Sequence, residues 1–193
     1  MRRGVLVLAG ALILAMAGSA SAATDSEEAA TTPAWSQLVP PTAIASFTLT
    51  SGAFRNGASI PSRYTCDGAN VSPALSWGGV PHGAVTLGLI VEDIDARGFV
   101  HWLAYNIARS SPGGLPTAVP RLASPPRQGI NAFGRAGYGG PCPPSGRHRY
   151  RFTLYALDRV LTFTGKPRAV TFKAAIRGHV IGQAVLVGTY RRR

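Results

Sequence analysis

Two histidines, a pair of aspartates and a glycine–proline segment are the residues of this chain whose types and spacing could do chemistry. Asp93 and Asp95 flank Ile94 just after an apolar run, and in an extended strand end a spacing of two turns both carboxylates to one side. Phe99-Val100-His101-Trp102 follows after a short turn, so a hairpin would bring Asp93 near His101. Later, Gly137-Tyr138-Gly139-Gly140-Pro141-Cys142-Pro143-Pro144 runs into His148-Arg149-Tyr150, where His148 and Tyr150 share a face. Imidazoles present N–H donors, and a neighbouring carboxylate favours their charged forms and fixes their tautomers. Gly139 and Gly140, lacking Cβ atoms, would let backbone amides approach an oxyanion, while Pro141, Pro143 and Pro144 stiffen that wall. The chemistry these types share is the capture of a small anion.

Other chemistries have weaker support. His101 with Asp93 could act as the base and orienting group of a hydrolase, but no serine lies in a nucleophile elbow. Two histidines and one or two aspartates could ligate a metal, yet the His-Glu-x-x-His spacing is missing, so we expect neither metal nor cofactor. Asp95 reads as a scaffold residue paired with Arg149 or Arg97. His179 reads as an ordinary helix-face residue, and His82, in Pro-His-Gly, as an exposed turn residue.

The charge balance narrows partners. The chain carries a formal net charge of +12, and from Ile44 onward only Asp67, Glu92, Asp93, Asp95 and Asp158 are acidic. Three of those five fall within four residues, which suggests a specific task. The scattered arginines would attract anionic polymers or membrane surfaces without reading a nucleic-acid sequence.

Met1-Arg2-Arg3, the apolar run Gly4 to Gly18 and the small residues Ala20-Ser21-Ala22 form the pattern of a secretory signal over residues 1–22, cleaved after Ala22. The run is shorter than the ~20 residues a membrane-spanning helix needs, and no cysteine stands near the cleavage point to carry a lipid. Residues 23–43 read as a flexible tether and 44–193 as one domain. We therefore expect a secreted or periplasmic protein, with no later membrane span. In an oxidising compartment two cysteines, Cys66 and Cys142, favour one disulfide over two free thiols.

The elements that must position these residues are mostly strands. Ala84 to Val91 is a near-continuous apolar run, as in a central strand buried on both faces. Val100 to Ile107 alternates, which would set His101, Leu103, Tyr105 and Ile107 on one face. Arg149 to Leu157 alternates too, with Tyr150, Phe152, Leu154 and Ala156 together, and Ala184 to Tyr190 makes a last strand. Thr171 could cap the one helix, with Phe172, Ala175, Ile176 and His179 on its apolar face. Arg109 to Gly146 reads as a long loop. Antiparallel strands with one helix and long loops suggest a β-sandwich.

Several ordered motifs carry a resemblance. Thr65-Cys66-Asp67-Gly68-Ala69-Asn70-Val71-Ser72-Pro73, Leu75-Ser76-Trp77, Asp93-Ile94-Asp95, His101-Trp102, Asn106-Ile107, Gly140-Pro141-Cys142-Pro143-Pro144 and His148-Arg149-Tyr150 occur in the order seen in the phosphatidylethanolamine-binding protein family. The chain most resembles the bacterial Raf-kinase-inhibitor-like (YbhB/YbcL) branch, from about Ala45 to Tyr190. The resemblance implies a two-sheet antiparallel β-sandwich with a C-terminal helix followed by a final strand. It also implies an anion pocket formed by Asp93, His101, Gly140, Pro141, His148 and Tyr150, with no catalytic residue. The implied partners are a phosphate- or carboxylate-bearing ligand, such as a phospholipid head group, and a kinase or protease that the protein inhibits. Three departures stand out. Ile94 and Arg97 replace the prolines of an Asp-Pro-Asp-Ala-Pro pattern, Ala132 replaces the acid of Asn-Asp-Phe-Gly, and no equivalent of a C-terminal pocket tyrosine is evident.

Overall fold

The computed structural model describes residues 44–110, 112–121 and 126–192; the expected signal (1–22) and tether (23–43) lie outside the described residues. Its strands are β1 (Ala45–Ser46), β2 (Thr48–Thr50), β3 (Leu75–Gly78), β4 (Thr86–Asp93), β5 (Phe99–Ile107), β6 (Gly113–Leu115), β7 (Arg127–Gln128), β8 (Arg147–Leu157) and β9 (Val180–Arg191), with helix α1 (Ala169–Ile176) before the last. The larger sheet runs β1-β9-β8-β4-β5-β7 and the smaller β2-β3-β6. The pairings are antiparallel apart from β1 beside β9.

Burial explains the layers. Tyr150, Phe152, Leu154 and Ala156 of β8 join Leu87, Leu89 and Val91 of β4 against Leu49, Leu75, Trp77 and Leu115 of the smaller sheet. The opposite face of the larger sheet offers Ile90, Val100, Leu103 and Tyr105 to Phe172 and Ile176 of α1. Because both faces are covered, every residue of β4 is buried, as its unbroken apolar run predicts. Gly88 sits in that strand because a Cβ there would come within 2.8 Å of the Phe172 ring.

Four local expectations need correction. In β5 the alternation is broken twice: Glu92 and Val91 pair with Val100 and Trp102, so His101 is the extra residue of a bulge, and a second shift lies between Ala104 and Ile107. Leu103 and Tyr105 therefore pack towards α1 while Ile107 joins the core between the sheets. Thr171 does not cap α1, since the flanking position is Arg168 with no side-chain cap bond; Ile130 N–H donating to the Pro167 carbonyl (2.8 Å) fixes the approach instead. His179 falls beyond the helix, where its Nδ1 meets Asp158 at 2.9 Å. The expected long loop holds the two short strands β6 and β7. Among the described residues no helix is long and apolar enough to cross a membrane.

Candidate functional site

The site lies where β4 ends and β5 and β8 begin. Asp93, the last residue of β4, is only 4% exposed at its side chain and accepts the Nδ1–H of His148 at 2.7 Å through Oδ2. Its other oxygen accepts the amides of Asp95 (3.0 Å) and Ala96 (3.1 Å), which closes the turn into β5. The geometry of this turn shows why Ile94 and Arg97, rather than proline, stand in it. Ile94 donates its N–H to the Arg149 carbonyl at 3.0 Å, and Arg97 stands at φ +54°; proline could do neither.

Asp95 does not point with Asp93. The turn ends the two-residue period, and Asp95 instead forms a bidentate pair with Arg149, at 2.6 and 3.0 Å, and accepts that residue's backbone N–H at 2.7 Å. These Arg149 bonds hold the Asp95 carboxyl down at about 2, from an ordinary value of 3.8. Glu92, the third acid of the cluster, faces the α1 side and bonds Lys173 (2.6 Å) and Arg151 (3.2 Å). The acidic cluster thus divides into three separate pairings.

His101 is buried, and its Nδ1–H donates to the carbonyl of Gly139 (2.8 Å) and reaches that of Gly140 (3.2 Å). Carbonyls only accept, so the neutral ring carries its proton on Nδ1 and keeps a lone pair at Nε2. Burial pushes the His101 pKa below its ordinary 6.5, against the opposing pull of the Gly139 carbonyl and the Asp93 charge. The expectation that a carboxylate would favour the charged form therefore fails for His101: desolvation wins. Nor does Asp93 orient His101, since its free oxygen goes to His148, so the base–orienter pair of a hydrolase is not formed.

The expected amide donors of Gly139 and Gly140 are spent. Gly139 N–H donates to the His101 carbonyl (2.8 Å) and Gly140 N–H to Asn70 Oδ1 (2.7 Å). Their lack of Cβ serves packing: one at Gly139 would meet the Phe133 ring at 2.7 Å, and one at Gly140 the Tyr64 carbonyl at 2.6 Å. Pro141 is buried, its carbonyl accepting Cys66 N–H at 3.1 Å, and a Cys66–Cys142 disulfide fastens the same two segments.

Tyr150 completes the site. Its side chain is fully buried, its ring meets that of His101 edge-on at 5.1 Å, and its hydroxyl has no hydrogen-bond partner among the described residues. Burial, then the charge of Asp93 and the nearness of its carboxylate oxygens, raises its pKa against the pull of the Cys142 backbone, so it stays a neutral O–H donor; neither neighbour meets it in full hydrogen-bond geometry. An unsatisfied buried hydroxyl costs about 1–3 kcal/mol.

Sequence reasoning missed the supporting residues. Phe99 and Phe133 stack around His101, at 5.2 and 5.3 Å, and Phe133 is held by Asn131, whose Oδ1 accepts its amide at 3.0 Å. Tyr190 lies directly across from His148 on β9, so a C-terminal tyrosine does stand beside the site. A period of two along β9 would have aligned Tyr190, but only the register with β8 names its neighbour. Among the described residues, no three His, Cys, Asp or Glu side chains gather as a metal site.

Fold and site together define a β-sandwich with a histidine–aspartate–tyrosine cluster at one end of its larger sheet. The family model described as phosphatidylethanolamine-binding protein matches residues 50–191. A UPF0098 protein of Methanothermobacter thermautotrophicus is 50% identical over 149 residues, spanning 75% of this chain and 98% of the relative. LppC of Mycobacterium tuberculosis, named as a lipoprotein, is 40% identical over 202 residues, spanning 98% of this chain and 97% of its own. Escherichia coli YbcL superposes with a TM-score of 0.70 at 30% identity, covering 76% of this chain and 99% of that one. The homologue CT736 of Chlamydia trachomatis gives 0.69 at 39% identity, covering 77% and 99%. This chain belongs to the phosphatidylethanolamine-binding protein family.

Proposed function

We propose that this chain is an exported binding protein that takes a small phosphate- or carboxylate-bearing group at His148, Tyr150 and His101. The observation that carries this reading is the buried Tyr150 hydroxyl, without a hydrogen-bond partner among the described residues, beside the Asp93–His148 pair. A native fold tolerates such an orphan donor where a ligand oxygen satisfies it. Asp93 accepts the Nδ1–H of His148 as a hydrogen bond, so a second proton at Nε2 makes that ring a charge-assisted donor. His101, held neutral, accepts through Nε2 from a protonated ligand oxygen, or takes up a proton when a full anion binds. Asp93, Gly140 and Pro141 act behind these contacts, as the orienting carboxylate and the packed wall.

Export is supported by the signal-like pattern of residues 1–22 and by the extent of the likeness to the lipoprotein-named relative. A phospholipid head group or an acidic group on a protein would offer the same oxygens, and the latter is the route by which the chain would inhibit a kinase or protease. The test is titration with inorganic phosphate, followed by the imidazole resonances of His101 and His148. Both should shift, and His148→Ala should abolish saturable binding. Signals unmoved at millimolar phosphate would refute the reading.

A further inference from the structure

Arginines spread along the sequence gather, in part, on one strand face. Arg147, Arg149 and Arg151 alternate along β8 with His148, Tyr150 and Phe152, and the last two point into the core between the sheets. The three arginines therefore share the opposite face, and all are exposed. At ~3.4 Å per residue their row is about 14 Å long. Across the β8–β9 ladder Arg191 stands opposite Arg147, whereas Thr189 and Val187 stand opposite Arg149 and Arg151. Lys173 of α1 continues the row, because Glu92 holds it at 2.6 Å and Arg151 at 3.2 Å. The body of α1 packs on Ile90, Leu103 and Tyr105 of β4 and β5, and on the β9 side Val185 stays 45% exposed.

The row is positioned, and its donors are not used up. Asp95 takes Nε and Nη2 of Arg149, and Glu92 takes Nη2 of Arg151, which leaves Nη1 of each without an acceptor among the described residues. These two side chains keep 59% and 46% of their surface in water. Arg147 and Arg191 have no ion pair among the described residues, and like charges placed directly opposite destabilise an antiparallel pair. Five cations thus share two carboxylates, Asp95 and Glu92, which also hold three of those cations in place and lower the cost of ordering them around a partner. The charge forms a line, since β9 sets uncharged Thr189, Val187 and Val185 beside it. A line of cations matches a chain of anions better than a plane of them.

We propose that this strip docks a linear polymer with a phosphate in every backbone repeat, laid along β8 so that its phosphates meet Arg147, Arg149 and Arg151. Guanidinium groups suit this partner because they bond phosphate oxygens in pairs with charge assistance. A phosphate between Arg147 and Arg191 also removes their repulsion. The surface is independent of the histidine site, which lies on the other face of β8.

The test is calorimetric titration of the purified chain with long-chain inorganic polyphosphate over a range of salt concentrations. Arg147→Gln with Arg191→Gln should weaken binding at least tenfold. The same pair should flatten the slope of log K against log salt by about 1.4, since each cation lost from a single-strand contact removes about 0.7. Arg55→Gln with Arg63→Gln, two exposed cations elsewhere, removes as much net charge and should bind within twofold of the parent. His148→Ala should also bind within twofold, and the amide resonances of Arg147 to Arg151 should move in that variant as in the parent. Equal weakening in the two double variants would reduce the effect to net charge and overturn the strip. Loss of binding in His148→Ala would put the polymer in the histidine site and overturn it as well. Phosphatidylglycerol vesicles that bind as tightly per phosphate, with the same need for Arg147 and Arg191, would make the occupant a membrane surface and overturn the polymer.

Discussion

Glu92 and Asp93 are neighbours, equally buried at 3% exposure, and they serve opposite purposes. Glu92 faces α1, and its two oxygens are closed by Lys173 and Arg151, cations that keep half their surface in water. Asp93 faces the space between the sheets, where a single histidine answers its free oxygen and, among the described residues, the adjacent Tyr150 hydroxyl has no hydrogen-bond partner. The first arrangement is a finished network that ties helix to sheet. The second leaves one hydroxyl unpaired among the described residues, the place where the proposed ligand oxygen would bond. A step of one residue along a strand separates scaffold from site.

The strongest way to break this contrast is to strip the cations from Glu92. Arg151→Met with Lys173→Met leaves a buried carboxylate alone and should cost about 3 kcal/mol in urea unfolding, with phosphate affinity within twofold of the parent. A large loss of affinity would mean the two faces are not separate. On the site side, Gly140→Ala drives a Cβ against the Tyr64 carbonyl and the Thr65 Cα, and should cost about 1–3 kcal/mol. Gly139→Ala should cost less, since the Phe133 ring it meets is 39% exposed and can swing away. Equal losses in the two variants would show that the wall is not built as described.

A third effect is smaller and depends on pH. The folded His101 pKa lies below the unfolded 6.5, so the unfolded chain takes the proton first. Its contribution is complete above about pH 6.5 and is lost as pH falls through the folded pKa. His101→Gln should flatten that slope in thermal melts, and phosphate, which favours the charged ring, should stabilise the parent more as pH drops. An unchanged slope would contradict the assignment. Smallest of all is Asp95: in Arg149→Ala its carboxyl should return from about 2 towards 3.8 by NMR titration, with the unfolding midpoint above pH 4 close to the parent.

Much of the fold was legible because it is periodic. The apolar run of β4 and the alternation of β8 announce their burial directly. The bulge at His101 was not legible, because a bulge exists only in the register with β4. The helix start was misread for a similar reason: Thr171 is a good cap by type, but Ile130, far off in the chain, fixes where α1 begins. In the site, His101, His148 and Asp93 were candidates on type and spacing and Tyr150 through the family resemblance, and the structure brings them together. The fate of the Gly140 amide was hidden, since its acceptor Asn70 lies 70 residues away. Residue types name the chemistry available; long-range pairing decides which atoms are left to perform it.

Replacing Tyr150 by phenylalanine tests the central claim most directly, with unfolding and phosphate binding measured on the same preparation. The hydroxyl has no hydrogen-bond partner among the described residues, so its removal should raise stability, by about 1–3 kcal/mol. Phosphate affinity should fall about tenfold, because the ligand loses the donor waiting for it. A variant that binds phosphate as tightly as the parent, or that loses stability without ligand, would contradict the account.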